Sequence, residues 1–198
     1  MIELDNMSQE FTIKIFNYPL SEEDTKKDVE KLLDESFGIS SGADPQRVLN
    51  SKDTHYSNPV EYILVFNKTE LVGIQMLFLR KVIFENQNIL IGGLGGLCVK
   101  KEFREKGIAK QLLAIAMSEM QKLSCDVSIL FTNIKNPRYL KLYGAYGFKV
   151  LNREYSFMSK SGKICTGKSA MIAPINSSKK YDLIVNSNKI LNIGAGEW

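Results

Sequence analysis

The alternation of apolar and polar positions changes rhythm several times along the chain, and each change predicts an element. After a polar opening, residues 1–10, which reads as a loose leader, "FTIKIFN" (11–17) reads as a first strand. "SEEDTKKDVEKLLDESFG" (21–38) sets Val29, Leu32, Leu33 and Phe37 at helical spacing, with Ser21 or Asp24 able to cap the start and Gly38 to stop it. The polar stretch 39–59 carries a short helix at 45–51. From residue 60 the period becomes that of strands. "EYILVF", the turn "NKTE", "LVGIQMLFLRKVIF", the turn "ENQN" and "ILIGGLGGLCV" predict three consecutive antiparallel strands ending at Val99.

"GIAKQLLAIAMSEMQKL" (107–123) then restores the helical period, with Ile108, Leu112, Ile115, Ala116 and Met120 as its buried stripe. "VSILFTN" is apolar throughout, as inner strands are, and "PRYLKLYGAYG" is a short helix with Pro137 at its first turn. "FKVLNREYSFM" (148–158) reads as one strand. The last 40 residues read as strands near 163–172 and 182–191 around a loop rich in Ser, Asn and Lys. Strands followed by helix–strand–helix–strand indicate a mixed α+β fold with one βαβ crossover near the centre. A single domain over 1–198 is expected, with residues 160–198 as a C-terminal hairpin or tail.

Composition narrows the classes. With 198 residues, 44% apolar and 24% charged, the chain sits near the globular average. A net charge of +4 admits an anionic ligand, but the lysines and arginines are scattered and do not form the basic stripe of a nucleic-acid binder. Three distant cysteines and one histidine, with no C-x-x-C pair, argue against a metal site. An odd cysteine count suits a reducing cytoplasm, no signal segment is visible, and the apolar run 89–99 is too short to span a bilayer.

Two stretches could hold a phosphate. "GKICTGKS" (162–169) fits the letters of a P-loop, G-x-x-x-x-G-K-[ST]. A working P-loop opens a helix, whereas "AMIAPINSSKK" follows here, with Pro174 five residues on. A hairpin turn with an exposed Lys168 is the better reading. "REKGIA" (104–109) lies between a strand and the strongest helix of the chain. There the first amides of the helix lack partners, and its dipole is positive. Gly107 lets a diphosphate approach the backbone, Ala109 is nearly as small, and Arg104, Lys106 and Lys110 add charge.

The wider stretch "LCVKKEFREKGIAKQLL" resembles the acetyl-CoA signature [Q/R]-x-x-G-x-[G/A] of the GCN5-related N-acetyltransferases. Arg104, Gly107 and Ala109 fill it, and Leu97, Val99 and Phe103 hold its apolar positions. "NPRYLKLYGAYGF" resembles the second motif of that superfamily, with Asn136, Leu142, Tyr143, Gly147 and Phe148 in register. The resemblance implies a twisted, mostly antiparallel sheet splayed in the middle, flanked by helices. It implies acetyl-CoA as acyl donor, held by Leu97, Cys98, Val99, Arg104, Glu105, Lys106, Gly107, Ile108, Ala109, Lys110 and Asn136, with no metal. Tyr143 matches the general acid, since a phenol of pKa about 10 can protonate a thiolate of roughly similar basicity. A backbone amide freed by a bulge near Cys98 or Val99 would hold the oxyanion.

From about residue 20 onward the chain further resembles the aminoglycoside 2′-N-acetyltransferases, chiefly in the "LVG…LR" hairpin, "LYGAYGF" and the closing "IGAGEW". In that group a terminal tryptophan carboxylate faces the acceptor, which makes Trp198 a second catalytic candidate. Acids of that group on the central strand and after the first helix are replaced by Gly95 and Ser40, with Asp44, Glu61 and Glu197 as partial substitutes. The expected activity is acetyl transfer to a primary amine of a small molecule, aminoglycosides included, by a cytoplasmic enzyme with no nucleic-acid or membrane partner; a homodimer is admitted. Peptide or protein N-acetylation and a silent acyl-CoA-binding module stand as alternatives.

Overall fold

A computed structural model describes residues 11–55 and 57–198, so the expected leader lies outside the described residues. The elements run β1 (Phe11–Asn17), α1 (Glu23–Phe37), α2 (Pro45–Thr54), β2 (Glu61–Asn67), β3 (Glu70–Phe84), β4 (Gln87–Val99), α3 (Ile108–Lys122), β5 (Val127–Phe131), α4 (Pro137–Gly144), β6 (Lys149–Val150), β7 (Tyr155–Met158), β8 (Ile164–Gly167), β9 (Ala170–Pro174), α5 (Ser178–Asn186) and β10 (Leu191–Ala195). Seven strands form one sheet in the order β1-β2-β3-β4-β5-β9-β6, and a small sheet runs β10-β7-β8. In the large sheet only β4 and β5 are parallel; α3 makes the crossover between them. This is the mixed α+β fold that the sequence predicts.

One face of the large sheet buries Ile63, Val65, Leu77 and Leu94 under Ile108, Leu112, Leu113, Ala116 and Met120 of α3. Leu113 joins the expected stripe, and Ile115 is only partly buried. The opposite face is shared. Val29 and Leu32 of α1 cover Leu64, Ile74 and Cys98. Beyond them Tyr155, Phe157, Ile184, Leu191, Ile193 and Trp198 cover Phe78, Ile91, Ile129 and Ile172. A strand flanked on both faces must be apolar throughout, which explains "VSILF".

The departures lie at caps and in the C-terminal third. Glu22, not Ser21 or Asp24, precedes α1, and no side chain caps it. α2 runs three residues past the expected helix, opened by Pro45 and capped by Asp44, whose carboxylate accepts from the Gln46 amide at 3.0 Å. The single strand expected over 148–158 is two strands in different sheets. The chain turns at Arg153, whose amide donates to the Leu151 carbonyl at 2.8 Å and whose guanidinium lies over Phe84. The strand expected over 163–172 also divides. β8 pairs with β7 and β9 with β5, so Gly167–Lys168–Ser169 is a crossing between sheets and not a hairpin turn. Residues 182–186 of the strand expected over 182–191 are helical instead. Ser177 caps α5 by accepting from the Lys180 amide, and Ile184 anchors it in the core.

Candidate active site

β4 and β5 stay paired only from Ile91↔Val127 to Leu94↔Leu130, and beyond those residues they part. β4 is turned aside by a bulge. Ile74 faces Cys98 and Met76 faces Gly95, so Gly96 and Leu97 together oppose Gln75. An extra residue of this kind leaves backbone groups out of the ladder and bends the strand. Gly96 takes φ 63°, which suits glycine. The bulge thus sits two residues earlier than the sequence suggests, because Cys98 and Val99 are back in register with Ile74 and Gly73. The fully buried Gln75 fixes it, its Nε2 donating to the Gly95 carbonyl at 2.8 Å and the Met76 carbonyl at 3.0 Å.

The mouth of α3 lies just past the end of β4. Gly107 stands at its N-cap with φ 84°, and no side chain caps the helix. A Cβ at 107 would meet nothing within 4 Å, so the space before the helix is open. The Lys110 and Gln111 amides bond back to the Gly107 carbonyl, whereas those of Ile108 and Ala109 belong to the first turn, which has no intrahelical acceptors. Ile108 itself is buried and offers only its N–H. Arg104, Glu105, Lys106 and Lys110 are exposed around this mouth. Arg104 Nε donates to the Val99 carbonyl at 3.1 Å, tying the loop to β4. The Lys106 ammonium sits over the Phe11 and Phe103 rings at 5.7 and 5.3 Å. Open amides, a positive helix end and flanking cations suit a diphosphate, and the opening between β4 and β5 suits an extended arm.

α4 forms the other wall. Asn136 caps it, its Oδ1 accepting from the Arg138 amide at 3.0 Å, and Tyr146 ties it to α3 by donating to the Lys110 carbonyl at 2.5 Å. Tyr143 is half-buried, edge-on to Phe148 with centroids 6.1 Å apart. Burial, and to a lesser extent Tyr139, pushes its phenol up to about 12. Burial pushes the Cys98 and Cys125 thiols up to about 11, which keeps them protonated and unreactive.

The opposite side of the opening is closed by the last residues. Trp198 is buried between Phe78 and Phe131, its indole N–H donates to the Ile129 carbonyl at 3.2 Å, and the Arg80 guanidinium lies 4.7 Å above its ring. Its backbone carbonyl carbon would stand 3.0 Å from a Cβ on Gly95. Arg80 Nη1 also donates to the Ile193 and Gly196 carbonyls at 2.6 Å each. Of the candidate acids, Asp44 serves as a cap, Glu61 faces Glu119 near the far end of α3, and Ser40 donates back to the Asp34 carboxylate. Glu197 is the one brought to the opening. The Tyr155 hydroxyl donates to its Oε1, and His55 Nε2 stands 3.2 Å from its Oε2. Tyr155 and Trp198 both pack on Phe131, where β5 ends. Sequence reasoning missed Gln75, whose signal is an amide inside an apolar strand. His55, exposed at the end of α2, meets Glu197 only in the fold, because nothing local joins residues 55, 155 and 197.

A sheet parted beside an uncapped helix mouth suits a ligand that carries a diphosphate at one end of an extended arm. The chain belongs to the acetyltransferase (GNAT) domain family, which matches residues 17–151. It is 32% identical over 102 residues to N-alpha-acetyltransferase 30 of Saccharomyces cerevisiae, a match covering 51% of this chain and 58% of that relative. Among solved structures it resembles the NatC complex bound to Gag peptide and CoA, with a TM-score of 0.53 at 21% identity, covering 82% of this chain and 98% of that one. It also resembles Escherichia coli ElaA, with a TM-score of 0.58 at 13% identity over 82% and 99% of the two chains. The resemblance to aminoglycoside 2′-N-acetyltransferases rests on sequence motifs alone. No helix among the described residues is long and apolar enough to cross a membrane.

Proposed function

We propose that the chain transfers the acetyl group of acetyl-CoA to the α-amine at the N-terminus of a protein or peptide. The observation that carries the acceptor class is the 32% identity to the yeast N-alpha-acetyltransferase. The uncapped mouth of α3 supports the donor. Acetyl-CoA supplies an acyl carbon activated as a thioester. The amides of Ile108 and Ala109, with Arg104 and Lys110 beside them, hold its diphosphate, and Leu97 to Val99 line the arm. A backbone amide at the Gly96–Leu97 bulge polarises the thioester carbonyl. Tyr143 gives its proton to the departing sulfur. Trp198 shapes the acceptor side.

The test offers acetyl-CoA with short peptides bearing free α-amines, the same peptides blocked at the N-terminus but carrying lysine, and small amines including an aminoglycoside. Mass spectrometry is expected to find acetylation of free α-amines only. Tyr143→Phe should lower kcat about 100-fold while calorimetry finds acetyl-CoA binding unchanged. Acetylation of the aminoglycoside alone would restore the small-amine reading. Binding of acetyl-CoA without transfer to any amine would favour a silent module.

A further inference from the structure

We infer that His55 and Glu197 form the outlet for the proton that the acceptor ammonium must lose before its nitrogen can attack, a role that rests on the amine-acetylation reading above. The reasoning starts from the hydrogen bonds of one imidazole. Nδ1 lies 2.9 Å from Thr54 Oγ1 and 3.3 Å from the Ser51 carbonyl oxygen. A carbonyl can only accept, so the Ser51 contact needs a proton on Nδ1; the Thr54 hydroxyl can accept from that proton while turning its own toward the Asn50 and Ser51 carbonyls at 3.3 and 3.4 Å. A proton on Nδ1 satisfies both contacts at once. Nε2 is then the lone-pair nitrogen of the neutral ring, and it faces Glu197 Oε2 at 3.2 Å. Two acceptors at that distance attract only when a proton stands between them, so the pair forms a slot for one proton.

Its surroundings make the slot directional. Glu197 is held on its other oxygen by Tyr155, whose phenol is pushed up by burial and then by Glu197 itself, so the hydroxyl always donates. The side chain of Glu197 is 12% exposed and that of His55 43%. The carboxylate thus faces inward, and the imidazole reaches solvent. The charged or titratable groups facing Glu197 are Tyr155 from β7, His55 from the end of α2 and Arg80 from β3, the last bonded to the neighbouring Gly196 carbonyl. No side-chain acid stands on β4 at Gly95, because Trp198 fills that space. In the step, an N–H bond of the ammonium breaks and its electron pair stays on nitrogen. The proton passes to Glu197 Oε2, then to His55 Nε2, and leaves from the exposed ring to water.

The test compares the wild-type chain with Glu197→Gln, His55→Gln and His55→Gly on the peptide panel. Each variant is expected to lower kcat/KM about 100-fold, with the acidic limb of its pH profile displaced and acetyl-CoA affinity unchanged. Added imidazole should restore turnover to His55→Gly, which a mere fastening of α2 to the C-terminal segment would not allow. His55 is the sole histidine, so imidazole nuclear magnetic resonance reads it directly. Without any acetyl-CoA, the best peptide of the panel should shift the ring signals in the wild type and not in Glu197→Gln. Unchanged kcat/KM in Glu197→Gln overturns the inference, as does a loss that tracks a lower melting temperature without imidazole rescue. A wild type that acetylates a small amine but no peptide sinks the acceptor class alone, and the variants are then read on that amine. A wild type that acetylates no amine overturns both.

Discussion

Gly107 does two things that a side chain would prevent. It takes φ 84°, turning the loop into α3, and it leaves the first helical amides open to an anion. Gly107→Asp would aim a carboxylate at the same amides, and calorimetry should then find no heat of acetyl-CoA binding. Lys168 has the letters of a phosphate-binding lysine and none of the setting. Its side chain is exposed, pairs with Glu154 at 3.1 Å and precedes a strand. Lys168→Ala should leave acetyl-CoA affinity unchanged; the reverse pair of results would return the phosphate site to "GKICTGKS". The raised phenol of Tyr143 belongs to this scale too. A group held near 12 stays protonated as pH rises, so in the role proposed for it the phenol would keep its proton through neutral and mildly alkaline pH.

At the scale of the element, β4 is written in glycine because other elements press against it. A Cβ on Gly92 would meet the Met120 sulfur at 2.8 Å, and one on Gly93 would meet the Trp198 ring at 2.5 Å. Gly93→Ala therefore overpacks a rigid indole, which costs about 1–3 kcal/mol. The melting temperature should fall by several degrees, and the fluorescence of the sole tryptophan should shift red as the ring meets water. No change in either would mean that Trp198 does not seat on that strand in solution. The bulge makes the same point about position. A bulge in this strand is expected from the sequence near Cys98 or Val99, but its place between Gly95 and Cys98 depends on the partner strand and on Gln75, one strand away.

At the scale of the whole molecule, the family match ends at residue 151 while the sheet does not. β9 lies between β5 and β6, so residues beyond the match complete the large sheet, and β10 with Trp198 covers its second face. A chain cut after residue 151 would expose Ile129, Ile91 and Phe78 and strip β5 of its antiparallel partner. It should show no cooperative melting by circular dichroism. A truncated chain that melts cooperatively and still binds acetyl-CoA would show that the C-terminal third is dispensable to the fold.

The elements with strong local period were legible in the sequence: α3 with its apolar stripe, the β2–β3–β4 meander with its polar turns, and the glycine-opened mouth of α3. Each depends on residues close along the chain, where helical or strand spacing, caps and turn chemistry act directly. The side proposed for the cofactor lies in one such stretch, 97–110. The acceptor side does not. His55, Arg80, Tyr155, Glu197 and Trp198 meet only because β10 crosses back beside β7 and lies against β3. Burial of shared apolar faces over long separations decides that meeting, and no local pattern encodes it. Tertiary packing likewise made a helix of "SKKYDLIVN", whose Ile184 had a core to fill.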